Sequence, residues 1–375
     1  MRHTRQTIGL SMIVKNEAPV IRRCLDSVMP LIDHWVIVDT GSSDGTQDII
    51  RSHMAGLPGT VYEREWRDFA HNRSEALSLA RPHADYSLVI DADDFMEDLP
   101  EPAELHLTED SYSLDIVDPP LLYPRTQLVN NRLEWCYRGV LHEFMACSQA
   151  QTSGHLSWKM RRNHDGARRR NPETYFKDAQ ILMRVLETEQ DPFLRARYTF
   201  YLAQSFRDSQ QHEQAIRFYQ ERAGMGGWQE EVYYSLYQVA QLKEHLGVDL
   251  DEVLKAYEAA SDAYAPRVEA LHNASRLCRL HGRYKQGFEI AQRGLGKPYP
   301  NGALFGHPWI YETGLLDEYA VNAYWAGHYT ECMDACLKIL RTGQVSGQEL
   351  ERIVSNAEYA LLRLTEKLSA STNAT

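Results

Sequence analysis

Four short apolar runs, Ile8 to Val14, Trp35 to Asp39, Thr60 to Glu63 and Tyr86 to Ile90, are separated by stretches of helical periodicity at Ala18 to Val28, Thr46 to His53 and Ala70 to Ala80. Strands joined in sequence through helices must run parallel, and right-handed crossovers place the helices over the faces of the sheet. The opening of the chain therefore predicts a Rossmann-like α/β unit with its chemistry at the carboxyl edge of the strands. After Pro100 the texture changes to strand-like pieces at Tyr112 to Val117, Leu121 to Val129, Val140 to Cys147 and His155 to Met160. These predict a partly antiparallel extension, so that the sheet is mixed.

From about Asn171 the pattern is almost wholly helical, with small residues recurring where paired helices must approach closely. Ala203, Ala240, Ser275 and Ala320 form one series, and Ala215, Ala256, Gly287 and Cys332 a second. Turns such as Leu246-Gly247, His281-Gly282 and Ala326-Gly327 fall between them, resembling tetratricopeptide helix-turn-helix units. About four such units are enough for stable stacking. The predicted division is residues 1–170, residues 171–367 and a disordered polar tail at 368–375.

A chain of 375 residues can bury two cores without staples. Six cysteines without a C-x-x-C pair argue against a zinc knuckle and suit a reducing, cytoplasmic compartment. No apolar run approaches the length of a membrane span, and Ile8 to Val14 runs into Lys15-Asn16-Glu17 without a cleavage site. A net charge of -12 disfavours nucleic acid as a partner. The basic stretch Lys159 to Arg170 is sized for a diphosphate rather than a duplex, although its end, Arg168 to Arg170, also reads as a solvated linker.

Asp91-Ala92-Asp93-Asp94 follows directly on the strand ending at Ile90. Clustered carboxylates at such an edge call for a cation, and hard oxygen donors suit Mn²⁺ or Mg²⁺ bridging a diphosphate. Taken alone, the tripeptide reads more readily as a solvated acidic turn with an Asp helix cap. Its context is three earlier motifs at strand ends or helix starts: Ser11 to Glu17, Val36 to Thr46 and Asn72 to Leu77. Together the four resemble glycosyltransferase family 2, and the helices from Asn171 resemble those of a subgroup that carries tetratricopeptide repeats.

The resemblance implies a GT-A fold followed by an all-α tetratricopeptide-like domain. It also implies inverting transfer of a sugar from a nucleotide donor, and a divalent metal. Carried over by position, Glu17, Asp39 and Arg73 face the nucleotide, with Thr40 and Ala92 in the same donor-binding set. Asp91 meets ribose or metal, and Asp93 the metal. Thr40 stands where many members have an acid that contacts the base, and Ser74 where Asn is common.

Inverting transfer needs a base for the acceptor proton. Glu143 is the expected base with His142 as its partner, the reverse assignment and Asp94 remaining open. His164 is the expected third metal ligand, as late histidines often complete such shells. The expected donor is a UDP-sugar, a hexose or N-acetylhexosamine, and the acceptor a protein, peptide or glycan. Helical-repeat aromatics such as Tyr233, Tyr237, Trp309 and Trp325 are expected mostly in the core, while an exposed set would suit a homodimer. The alternative is an idle nucleotide-binding scaffold that organises protein partners. Gly41-Ser42-Ser43-Asp44-Gly45 also matches the G-x-S-x-G of a hydrolase elbow, but a single strand precedes it and no oxyanion loop is present.

Overall fold

The computed structural model describes residues 6–99, 106–119, 121–168 and 173–372. It divides into two compact units, Met1–Arg184 and Val185–Thr375. The division falls inside a helix, Thr174–Leu186, rather than near residue 170. Arg169 to Asn171 lie outside the described residues.

The first unit is an eight-stranded mixed sheet. Strands β1 (Ile8–Val14), β2 (His34–Asp39), β3 (Gly59–Glu63) and β4 (Tyr86–Val89) run parallel in the order β3-β2-β1-β4, as the alternation predicts. Helices α1 (Ile21–Val28), α2 (Thr46–His53) and α3 (Phe69–Ala80) connect them. β1 is buried along nearly its whole length because helices cover both faces, and Ile21, Cys24, Leu25 and Val28 form the core stripe of α1.

Strands β5 (Phe95–Glu97), β6 (Ser111–Asp118), β7 (Leu121–Asn130) and β10 (Ser153–Arg161) extend the sheet in the order β4-β7-β6-β10-β5. β7 runs antiparallel to both β4 and β6, and β10 runs parallel to β6. β6 and β10 therefore point the same way as β1, β2 and β4. All five end at one edge, which gathers the segments after Val14, Asp39, Val89, Asp118 and Arg161. The strand expected over Val140 to Cys147 is only partly formed: β8 (Cys136–Arg138) and β9 (Phe144–Ala146) make a separate two-stranded sheet. Between them the chain turns through Gly139 at φ 100° and His142 at φ 51°, values an extended strand cannot hold.

The second unit is helical: α5 (Pro192–Asp208), α6 (His212–Gly224), α7 (Gln229–His245), α8 (Leu250–Ala263), α9 (Glu269–Leu280), α10 (Tyr284–Gln292), α11 (Leu315–Trp325), α12 (Tyr329–Arg341) and α13 (Gly347–Thr372), with α4 being Thr174–Leu186. Successive helices from α5 to α13 pack on one another. The repeat shows most clearly at the turns. Gln211 N–H donates to Phe206 O, Val248 to Lys243, Arg283 to Cys278 and His328 to Ala323, each five residues back. In each turn the residue before the donor is left-handed: Gln210, Gly247, Gly282 and Gly327. This is the same Schellman closure four times, with Gln210 in the place glycine takes elsewhere.

Ala203, Ala240, Ser275 and Ala320 are all fully buried, as tight helix pairing requires. A Cβ on Gly287 would lie 2.5 Å from the Asn322 side chain, and the Gly287 carbonyl accepts from Ser275 Oγ at 2.9 Å. The tyrosines Tyr198, Tyr233 and Tyr237 are core, whereas Trp228, Trp309 and Trp325 are at least half exposed. The expected disordered tail is corrected over 368–372, where α13 continues to Thr372. Ser369 Oγ donates to the Thr365 carbonyl there, the i−4 bond a serine makes within a helix. Residues 373–375 lie outside the described set. Among the described residues no helix is long and apolar enough to cross a membrane.

A cluster of charged side chains is buried between α7 and α9. Arg267, 1% exposed, lies between Glu230 of α7 and Glu269 of α9, donating to both. It also donates to Leu304 O at 3.2 Å, while Leu304 N–H donates to Glu230 Oε2 at 2.9 Å. Tyr311 OH donates to Glu269 Oε2 at 2.9 Å. The segment between α10 and α11 is thus tied to two helices by charge-assisted bonds.

Candidate active site

The turn after β1 and the turn after β2 hold each other. Asn16, at φ 57°, accepts from Ser43 N–H at 2.8 Å, and its own N–H donates to Ser42 Oγ at 2.8 Å. Glu17 N–H donates to Thr46 Oγ1 at 2.9 Å. Ser43 Oγ faces the Asn16 amide at 3.5 Å, a group that cannot serve as a base, so the G-x-S-x-G match is part of this clasp.

Asp39 ends β2 and is 1% exposed. Its Oδ1 accepts from Gly41 N–H, Ser42 N–H and Gln47 Nε2 at 2.9, 2.8 and 3.0 Å, which is the turn-capping role. Its Oδ2 is buried with no hydrogen-bond partner. A buried carboxylate oxygen left unsatisfied is costly unless a ligand donates to it. Thr40 is turned away, donating to the Val14 carbonyl at 3.1 Å. The Glu17 carboxylate accepts from Ala167 N–H at 3.1 Å.

Arg73, on α3, lies between two carboxylates. It donates to Asp91 Oδ1, and its Nε is 2.7 Å from Glu143 Oε1. That second contact is not aligned along the N–H, so it is an ion pair rather than a hydrogen bond. The guanidinium also lies over the Tyr137 ring at 5.6 Å. Ser74 takes part in placing that ring, accepting from Tyr137 N–H at 2.8 Å. The structure thus brings together Arg73, Asp91 and Glu143, whereas His142 is exposed on its left-handed turn.

Asp91, Asp93 and Asp94 crowd one turn, in which Ala92 is buried. Burial favours the protonated form of Asp91, but Arg73 and then Arg125 overcome it and hold the group down at about 2. Asp93 is raised by burial and by Asp91. Asp94, 1% exposed, is pushed up to about 7 by burial and by both neighbours. Its Oδ1 accepts from Asn163 N–H at 3.2 Å, while its Oδ2 has no hydrogen bond and lies 3.8 Å from an Arg125 nitrogen.

His164 is placed otherwise than expected. Its Nε2 pairs with Asp118 Oδ1 at 2.9 Å, because Asp118 ends β6 beside it and also receives Arg162 at 3.4 Å. Among the described residues no three His, Cys, Asp or Glu side chains gather as a metal-holding group. Asp91 and Asp93 would nevertheless suit a divalent cation, since the repulsion between their carboxylates is what a cation would relieve. Gly166 closes this side: a Cβ there would lie 2.4 Å from Asp93 Oδ2. Gly166→Ala is therefore expected to displace the Asp93 carboxylate and weaken Mn²⁺ binding about tenfold with little loss of helix content, as calorimetry and circular dichroism would read.

Arg125 and Arg162 escaped the sequence reading as individual site residues. Both exert positive potential on Asp91 and Asp94. For Arg125 the available signal was its being the one charge in the otherwise uncharged run of β7.

A parallel sheet with acids gathered at its carboxyl edge and an antiparallel extension is the GT-A architecture, here followed by a tetratricopeptide-like helical unit. Residues 10–117 match the family described as Glycosyl transferase family 2, and the N-terminal unit carries a domain of that family. Among curated proteins, a TPR repeat-containing protein of Synechococcus elongatus is 39% identical over 88 residues, 23% of this chain and 20% of that protein. The SPbeta prophage-derived glycosyltransferase SunS of Bacillus subtilis is 29% identical over 118 residues, 31% of this chain and 27% of that one. The matched segments thus span about a fifth to a quarter of those relatives. The solved structure of S. aureus TarS 1-349 aligns at TM-score 0.35 with 14% identity over 75% of this chain and 92% of that one, a likeness too distant to inform fold or activity.

Proposed function

We propose that the chain is an inverting glycosyltransferase that moves a hexose or N-acetylhexosamine from a nucleotide sugar, UDP-linked, to a protein, peptide or glycan acceptor. The observation that carries this reading is Asp39: buried, fixed through Oδ1, and presenting an unsatisfied Oδ2 at the edge where the acids converge. A base N–H or ribose hydroxyl is the donor it fits.

Asp91 and Asp93 would hold Mn²⁺ or Mg²⁺, which when bound supplies positive charge to the departing diphosphate. Arg125 and Arg162 add fixed positive charge on the same side. Glu143 takes the proton of the acceptor hydroxyl as the sugar is transferred, and Arg73 orients it. The family domain and the likeness to SunS support the class of reaction.

The test is a screen of nucleotide sugars for thermal stabilisation and slow donor hydrolysis, on wild type and Asp93→Ala with Mn²⁺. One donor should stabilise and hydrolyse in the wild type, with both effects lost in the variant. Donor binding without turnover on any acceptor would favour the idle scaffold, and no binding at all would sink both readings.

A further inference from the structure

A cavity of about 230 Å³ lies among α9, α11, α12 and α13. Pockets that take whole small molecules run to about 300–1,000 Å³, so this one has room for a single long side chain. One wall is built by an irregularity. The chain enters α11 through a π-helical turn, Ile310–Gly314, in which Leu315 N–H donates to Ile310 O, five residues back. Such turns recur at functional sites. This one buries Ile310 and leaves Trp309 51% exposed at the cavity. Gly314 makes room for the indole, since a Cβ there would run into the Trp309 ring.

His272 of α9 is 6% exposed and meets Trp309 edge to face, with ring centroids 5.1 Å apart at 86°. Its tautomer follows from its neighbour. Asn273 Nδ2 donates to Tyr237 OH at 2.9 Å, so Asn273 Oδ1 is the atom 3.0 Å from His272 Nδ1, and Nδ1 carries the proton. Burial lowers the pKa of the ring and keeps it neutral. Nε2 is then an acceptor, and it has no hydrogen-bond partner among the described residues. The charges around the cavity leave one carboxylate over. Asp317 is matched by Arg352 through two bonds of 2.9 Å, Glu318 by Arg279 at 2.7 and 2.8 Å, and Arg276 by Glu244. Glu349, in the first turn of α13, has no hydrogen bond or ion pair among the described residues. It feels the charge of Arg352, but that guanidinium is committed to Asp317.

We propose that this cavity takes the lysine side chain of a partner peptide, its methylenes on Ile339 and Ile353 and its ammonium on Trp309, His272 Nε2 and Glu349. Three unlike features ask for the same group. An indole face attracts a cation, a neutral imidazole nitrogen accepts an N–H, and a carboxylate without a counter-charge needs a positive one. Ile339 and Ile353, both fully buried side chains that line the cavity, suit an alkyl stem. Lysine offers three donors on a compact head, whereas the flat fork of arginine suits paired oxygens, which this site lacks. An anion or a wholly apolar chain would leave Nε2 and Glu349 unanswered. The site lies within the repeat unit and stands independently of the proposed activity.

Saturation-transfer NMR of the full chain with the peptide acetyl-Gly-Lys-Gly-amide is expected to show transfer to the lysine methylenes, with Kd on the order of 1 mM. The same peptide with norleucine, which keeps the stem and lacks the ammonium, should bind at least about tenfold more weakly. Trp309→Ala should also weaken the lysine peptide at least about tenfold. Glu349→Gln should weaken it about fivefold, and because this change breaks no bond its circular dichroism and melting temperature should match the wild type. It therefore reads the site even where Trp309→Ala unsettles the π-turn. No transfer at about 10 mM peptide overturns the proposal. So does equal binding of the lysine and norleucine peptides, or Glu349→Gln binding as tightly as the wild type. Cadaverine bound about tenfold more tightly than the peptide would overturn the peptide as the source of the ammonium and assign the cavity to a free diamine.

Discussion

Arg73→Ala is expected to lower donor turnover on the order of a thousandfold and to destabilise the first unit by about 3–5 kcal/mol. Arg73 is 13% exposed at its side chain and is the cation between Asp91 and Glu143. Without it two carboxylates face each other in a half-buried site, and Asp91 loses the partner that does most to hold it at about 2. Removing one member of such a set costs more than the set contributes, because the others are left uncompensated. Combining Arg73→Ala with Glu143→Gln should therefore cost less stability than the two single changes added together, and a double-mutant cycle by urea unfolding reads this directly. Arg73→Lys should recover part of the stability but little turnover, since a point charge cannot serve two carboxylates as a planar fork does. Turnover within threefold of wild type in Arg73→Ala would remove Arg73 from the catalytic account.

The second large effect concerns pH. Asp94 in the fold holds its proton to about 7, above the ordinary carboxylate range. Between those two values the folded chain binds more protons than the unfolded one, so stability falls as pH rises. With metal removed by chelation, unfolding free energy should decline between about pH 4 and 7 by a few kcal/mol and then level off. Asp94→Asn, which carries no charge at any of these values, should match the wild type near pH 4 and exceed it at pH 8. Parallel stability curves for the two proteins across that range would show that burial and its neighbours do not hold the proton on Asp94.

The parallel half of the fold was legible because it depends on local periodicity. The apolar runs at Ile8, Trp35, Thr60 and Tyr86 fall on β1 to β4 within a residue or two. The antiparallel half was legible only in outline. Phe95–Glu97 is too short to stand out, and it exists as a strand because β10 pairs with it across a long separation in sequence. The hairpin of β8 and β9 was read as one strand although Gly139, at φ 100°, and the left-handed His142 turn the chain between them. In the site, Asp39, Arg73, Asp91 and Glu143 could be nominated from motif and strand position. The engagement of His164 by Asp118 could not, since it follows from where β6 and β10 end relative to one another. Ala256 illustrates the same limit among the helices: it was placed in the small-residue series, yet Ala260, one turn later, is the fully buried position.

Arrays of helical repeats usually tolerate gain or loss of a unit, since each unit touches only its neighbours and any junction resembles the next. The buried Arg267 removes that freedom here. It answers a carboxylate on α7, another on α9 and the backbone at Leu304, so three stretches of chain share one guanidinium. A duplication or deletion between α7 and α9 would strand an unneutralised charge in the core. The number of units in this stretch is therefore set by electrostatics, and variation in repeat count among related chains should fall outside α7 to α11.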